Sequence, residues 1–364
     1  LTGTDTPAEL RRPLPMDNPI QAYAWGSVKS IARLQHRIPT GQREAELWMG
    51  AHPRAPSSVR VAGRTMGLDT AIERWPQAML GGPAPLPFLL KVLAVDQPLS
   101  VQAHPDAAQA RAGFDREEAA GIPRDAAHRN YRDPRAKPEL VVALTDFEVL
   151  CGFRPWEESR ALLDRLDLPW TEREAAVRAL LDPQTATLAR QAVRRAHDAL
   201  PDLAATLQGI ADDHPGDPGV LFPLLLRHLV LRPGQGLFLP AGQLHCYLHG
   251  VAVEVMGNSD NVLRGGLTVK HKDPDELLSV LDWDAPAPVP CDQDETGTWP
   301  AATDTFRLRS AHTGVQGPAV VLCTGGSLFL GTHRLASGDS AFVPHGAGRQ
   351  PLGGNGAGFV VTAG

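Results

Sequence analysis

Three short segments of this sequence carry side chains suited to holding a divalent cation. Gln102-Ala-His104 sets an amide and an imidazole two residues apart. On a β-strand that spacing turns both to one side, within reach of a single ion. Lys137-Pro-Glu139 adds a carboxylate with a cation beside it, and His245 closes the run Pro233-Gly-Gln-Gly-Leu-Phe-Leu-Pro-Ala-Gly-Gln-Leu-His245. The glycines of that run let backbone pass close to a site. Each segment alone has an ordinary explanation, as a core or surface pair or a solvated turn. Together Gln102, His104, Glu139 and His245 offer two imidazoles, a carboxylate and an amide oxygen. A mixed nitrogen–oxygen set without thiolate suits one Zn²⁺ or another first-row divalent ion and disfavours Cu(I).

The elements that must position these residues are mostly strands. Pro87-Phe-Leu-Leu-Lys-Val-Leu-Ala-Val95 is an apolar run of strand length, and Leu99-Ser-Val-Gln-Ala-His104 alternates before stopping at Pro105-Asp106. The stretch before them reads as β with irregular connections. From about residue 155 the period changes: Leu162, Leu163 and Leu166, then Val177, Leu180 and Leu181, recur at helical spacing, and Thr171-Glu-Arg-Glu174 has the form of a capping box. His214-Pro-Gly-Asp-Pro-Gly219 breaks the helical pattern. Near the C-terminus Gly338-Asp-Ser-Ala-Phe-Val-Pro344-His-Gly346-Ala-Gly-Arg349 echoes the segment ending at His245, with Arg349 in the histidine position. A glycine turn, a strand, a second turn and a histidine is how cupin barrels, a jelly-roll architecture, present a ligand. The expected fold is mainly β with a helical subdomain: a double cupin of jelly-roll β-barrels plus an α-helical insertion. Residues 1–154 together with 231–285 form the catalytic cupin, 155–230 the helical domain, and 286–364 a C-terminal cupin-like jelly roll without metal ligands.

Bulk properties narrow the class. Length 364 implies more than one compact unit, and 43% hydrophobic with 21% charged residues describes an ordinary globular protein. The 35 glycines and 33 prolines follow no collagen-like period, which fits many turns between short strands. A net charge of −6 with no long basic run gives no reason to bind nucleic acid. The longest apolar stretch, Val220 to Leu231, is interrupted by Pro223, Arg227 and His228, so no membrane span is expected. Cys151, Cys246, Cys291 and Cys323 form no CxxC pair and read as unpaired thiols of a cytoplasmic protein.

The sequence resembles the type I phosphomannose isomerase family over most of its length. The resemblance is carried by Asn18-Pro-Ile-Gln-Ala-Tyr-Ala-Trp-Gly26, Glu46-Leu-Trp-Met-Gly-Ala-His-Pro53, Phe88-Leu-Leu-Lys-Val-Leu, Leu99-Ser-Val-Gln-Ala-His-Pro-Asp106, Tyr131-Arg-Asp-Pro, Lys137-Pro-Glu139 and Leu239-Pro-Ala-Gly-Gln-Leu-His245. The longest match is Glu254-Val-Met-Gly-Asn-Ser-Asp-Asn-Val-Leu-Arg-Gly-Gly-Leu-Thr-Val-Lys270. It fades in the helical segment and toward the C-terminus. It implies a zinc-dependent interconversion of mannose 6-phosphate and fructose 6-phosphate, with zinc on Gln102, His104, Glu139 and His245. Arg264 then falls on the family's active-site arginine, and Lys137, Tyr247, Glu254, Asp260 and Lys270 on pocket positions. One departure stands out: the family usually reads Asn-His before Lys-Pro-Glu, and here the residues are Arg135-Ala136.

The chemistry such a reaction needs gives these residues roles. Moving a proton between the carbons of an aldose and a ketose builds negative charge on an enediolate, which a divalent ion and cations such as Arg264 and Lys137 stabilise. Glu254 and Lys137 are candidate bases, with a metal-bound water as a third. Arg264 and Lys270 supply cations for the phosphate, to which Lys91 and Ser100 can add contacts. For Lys91 and Lys270 a solvated surface position is an equally good reading, and Asp260 and Asn261 can instead order the loop before Arg264. Trp25 and Trp48 read as core aromatics and His271 as surface. The expected partner is a small sugar phosphate and the expected state a monomer. The competing classes are a cupin of dioxygenase type, an isomerase of another hexose phosphate, and a binding protein without turnover.

Overall fold

The structure, a computed structural model, describes residues 6–364. Its main body is a ten-stranded sheet system whose hub is the thirteen-residue strand His245–Gly257. The first part of that strand pairs antiparallel with Phe147–Phe153, and its second part is flanked by Phe88–Val95 and Glu139–Ala143. Phe88–Val95 pairs in turn with Glu46–Met49. All eight residues of Phe88–Val95 are buried, which explains a run without alternation. Leu90, Val92 and Ala94 pack into one core with Leu322, Phe342 and Val361 of the C-terminal region, while Leu93 and Val95 join Tyr247 and Ala252 in another.

Between the strands Phe147–Phe153 and Leu226–Leu231 lie the helices Trp156–Arg165, Arg173–Leu181, Ala186–Ala199 and Pro201–Asp213. Leu163, Leu166, Val177, Leu180 and Leu181 share one buried cluster with Val101, Ala103, Cys246 and Leu248, so the helices cover one side of the sheet next to Gln102 and His245. Leu226–Leu231 pairs with Phe147–Phe153 and returns the chain to the sheet. The expected capping box at Thr171 does not form. The helix starts at Arg173 with Glu172 at the cap and no side-chain bond, which leaves Glu174 too near the start to reach back. A capping box does open Ala107–Ala119, where Asp106 accepts from Gln109 N at 2.7 Å and Gln109 accepts from Asp106 N at 2.9 Å. The N-terminal stretch also holds the short helices Ser30–Leu34, Leu68–Arg74 and Pro76–Leu80, which apolar alternation did not announce.

The C-terminal region builds a five-stranded antiparallel sheet, in which Leu14–Met16 pairs with Ser340–Val343 and ties the start of the chain to its end. The echo seen in the sequence recurs in the backbone. Gly234 and Gly338 both take positive φ, 91° and 86°, and each precedes a four-residue strand, Gly236–Leu239 and Ser340–Val343, that ends at a proline. The four cysteines are free, and no helix among the described residues is long and apolar enough to cross a membrane.

Candidate metal centre and its cleft

Pairing register assembles the metal-binding candidates. His245, the first residue of the hub strand, lies opposite Gln102 on Val101–Ala103, and Gln102 lies opposite Arg264 on Leu263–Gly266. His104 follows that short strand and Glu139 begins its own. His104, Glu139 and His245 are at most 3% exposed, and their donor atoms all fall within 4.8 Å of one another. His104 Nε2 is 3.2 Å from Glu139 Oε1, and His245 Nε2 is 3.3 Å from Glu139 Oε2.

The imidazoles are oriented from behind. His104 Nδ1 donates to the carbonyl of Asn261 at 2.7 Å and His245 Nδ1 to that of Gln243 at 3.0 Å. With both Nδ1 protons committed, each Nε2 turns a lone pair toward Glu139, the arrangement metal-bound histidines use. His104 Nε2 and Glu139 Oε2 are buried without a hydrogen-bond partner. Such orphaned polar atoms cost about 1–3 kcal/mol each unless something charged satisfies them. Burial, with Lys137 beside it, lowers the His104 pKa to about 4, so its ring is neutral at ordinary pH. Burial opposes charge on Glu139, yet the Lys137 ammonium beside it holds its carboxyl well below the usual range. The amide of Gln102 ends 3.4 Å from His245 Nε2, and a half-turn of that amide presents its oxygen to the same point. A divalent cation fits this donor set.

The centre opens into a cleft of about 1210 Å³. Lys137 Nζ sits 2.9 Å from Glu139 Oε1 at its base. On the floor Lys91 Nζ lies 3.3 Å from Glu254 Oε2, whose other oxygen accepts from Tyr247 Oη at 2.9 Å. Lys91 is therefore not a surface lysine. Glu46 and Glu254 overcome the opposing effect of burial and raise its pKa. Burial and the nearby Glu139 raise the pKa of Glu254. Asp260 lies 3.5 Å from His52 Nε2 and 3.2 Å from Arg54 Nη1. Arg264, Ser100 and Lys270 line the cleft, with the Lys270 ammonium over the Tyr23 ring at 5.3 Å. Burial, then Arg132 and Arg54, lower the pKa of Arg264, a strain that an anion would relieve.

Trp48, expected in the core, is 4% exposed but also lines the cleft, with the Lys91 ammonium over its ring at 5.4 Å. Trp25 lines it too, stacked on Tyr23, and the exposed His271 stands at the rim. The Arg135-Ala136 departure leaves the cleft intact. Lys137 and Glu139 face inward, while Ala136 and Pro138 face a separate depression lined by Phe238 and Pro240. The segment is held by its backbone: Asn261 Nδ2 donates to the carbonyls of Asp133 at 2.7 Å and Arg135 at 3.0 Å.

The model of the family described as phosphomannose isomerase type I, catalytic domain, matches residues 14–156. The mannose-6-phosphate isomerase of Salmonella typhimurium is 38% identical over 383 residues, covering 94% of this chain and 97% of the relative. That of Escherichia coli strain K12 is also 38% identical, covering 90% and 93%. The chain belongs to the mannose-6-phosphate isomerase family. Its architecture agrees with that membership. The Salmonella typhimurium enzyme solved with fructose 6-phosphate and zinc superposes with a TM-score of 0.87 at 34% identity, over 97% of this chain and 99% of that one. A zinc-bound mannose 6-phosphate isomerase superposes with a TM-score of 0.86 at the same identity and coverage.

Reading residue types along the chain missed Tyr23, Glu46, His52, Arg54 and Arg132, all of which line the cleft. Tyr23, Glu46, His52 and Arg132 lie within segments that carry the family resemblance, so their types were visible and only their direction was hidden. The strand pairing of Glu46–Met49 supplies that direction for Glu46.

Proposed function

We infer that this chain interconverts mannose 6-phosphate and fructose 6-phosphate with a zinc ion held by Gln102, His104, Glu139 and His245. The observation that carries the reading is the pair of buried imidazoles, each with its Nδ1 proton spent on a backbone carbonyl and its Nε2 aimed at Glu139. An ion bound there would supply Lewis acidity to the reacting carbonyl.

The chain's own residues carry the remaining work. Arg264, with Arg54, Arg132 and Lys270 around it, forms a cationic wall for the phosphate. We assign the base to Glu254. Lys137 is engaged with Glu139, whereas Glu254 is oriented by Tyr247, and burial with the nearby Glu139 raises its pKa, the direction that favours a general base. Glu254 takes the proton from C2 of the aldose as the C1–C2 double bond forms and negative charge moves to O1. The O2 proton passes to O1 as the carbonyl forms at C2, and the proton held by Glu254 goes to C1. Lys137 and Arg264 stabilise the enediolate between these steps.

We further place the sheet regions in the double cupin class, supported by the repeated glycine–strand–proline unit at Gly234 and Gly338. The division at 1–154 with 231–285, 155–230 and 286–364 is supported by the run of helices, uninterrupted by any strand, from Trp156 to Leu224. The four free thiols suit a cytoplasmic enzyme. A coupled assay with mannose 6-phosphate, before and after chelation and zinc restoration, tests the main assignment. Chelator-sensitive formation of fructose 6-phosphate supports it, and a folded, zinc-loaded sample without conversion overturns it. The dioxygenase-like alternative is disfavoured by the cationic wall, which matches a phosphorylated substrate.

A further inference from the structure

Lys91 is gripped from two sides, and the proton-transfer scheme above uses only one of them. Its Nζ lies 3.3 Å from Glu254 Oε2 and 3.5 Å from Glu46 Oε2. The same Glu46 oxygen accepts the indole N–H of Trp48 at 2.5 Å. Trp48, Lys91 and Glu254 occupy one cross-strand row over three adjacent strands, so a continuous path runs Trp48–Glu46–Lys91–Glu254–Tyr247 across the cleft floor. Every member is buried, at 7% exposure or less. Two carboxylates thus compete for one ammonium where water screens little.

We propose that Glu46 is a positioning residue for proton transfer: anchored by Trp48, it draws Lys91 away from Glu254 and so keeps the Glu254 carboxylate basic. The inference rests on the reading of Glu254 as the base. The charged and titratable groups facing Glu254 are Lys91 on the adjacent strand, Glu46 on the strand beyond it, Glu139 at the start of the strand on its other side with Lys137 just before it, and Tyr247 on its own strand. Glu46 acts on it twice in one direction, by direct repulsion and by withholding part of the Lys91 charge. Removing the Glu46 charge reverses both effects. Lys91 moves wholly to Glu254, and Glu254 gives up its proton at lower pH.

The test is the pH dependence of kcat in zinc-loaded enzyme for wild type, Glu46→Gln, Glu46→Asp and Glu254→Gln, with zinc content measured over the same range. Glu46→Gln is expected to shift the acid limb to lower pH by about half a unit or more, with reduced plateau kcat and a smaller change in KM. Glu46→Asp keeps the charge and is expected to return the limb toward wild type; if the Gln variant does not fold, an intermediate shift in Asp carries the test. An acid limb that stays in place, moves upward, or tracks loss of zinc overturns the role of Glu46. If Glu254→Gln is inactive in that case, the base assignment survives alone. Plateau turnover undiminished in Glu254→Gln removes the base assignment and this inference together.

Discussion

Tyr247 Oη donates to Glu254 Oε1 over 2.9 Å, although the two residues lie seven apart on one strand. An odd separation on a regular strand puts side chains on opposite faces. The pairing with Phe147–Phe153 slips between Tyr247 and His249, where one residue of the hub strand is left over, and Gly250 takes a φ of 115°. That bulge changes the parity. Cys246 and Leu248 face the helices, whereas Val253 and Val255 pack into the core behind the cleft, so His245, Tyr247 and Glu254 all serve one site.

The bulge can be tested at Gly250. A Cβ there would stand 2.4 Å from the Asp146 carbonyl oxygen, in a backbone conformation that L-residues avoid. Gly250→Ala is expected to destabilise the protein by about 2–4 kcal/mol and to lower kcat by misdirecting Glu254. Thermal unfolding and turnover read this out, and an unchanged pair would show that parity does not depend on this glycine.

Removal of a ligand imidazole should take metal and activity together. His245→Ala and His104→Ala are each expected to lose bound zinc, measured by elemental analysis, along with conversion of mannose 6-phosphate. Either variant retaining both would take that histidine out of the centre.

Arg264 should separate binding of the ion from catalysis. Arg264→Ala is expected to keep its zinc while kcat/KM falls about ten- to a hundredfold, the range for losing a charged hydrogen bond. Steady-state kinetics beside a zinc assay checks this, and full kcat/KM would remove Arg264 from substrate recognition.

Acid stability should depend on Asp260. Burial raises its pKa, but His52, then Arg54 and Lys137, hold the carboxyl well below its ordinary value of 3.8. A depressed carboxyl pKa adds stability that is fully present above the unfolded value and is lost as pH falls through the folded one. Asp260→Asn should therefore be less stable than wild type near neutral pH, with the gap closing below about pH 4. Tm measured across that range decides it; a gap that widens in acid would contradict the assignment.

Much of this was legible in the residues themselves. The strand Phe88–Val95 followed from an apolar run that only Lys91 interrupts, and the helix faces from Leu163, Val177 and Leu180, because these patterns record contacts made within a few residues. The donor types of Gln102, His104, Glu139 and His245 named the chemistry for the same local reason. The folded chain decided what depends on distant pairing. Asn261 and Gln243 choose the tautomers of His104 and His245 through backbone carbonyls, which no side-chain pattern announces. Glu46 reaches the cleft because Glu46–Met49 pairs with Phe88–Val95, and Ala136 turns away from it because Lys137 and Glu139 turn in. The hub strand shows the division most sharply. Its residues mark a strand, but the bulge that brings Glu254 to the side of His245 arises from register against Phe147–Phe153, about a hundred residues away, where local periodicity carries no information.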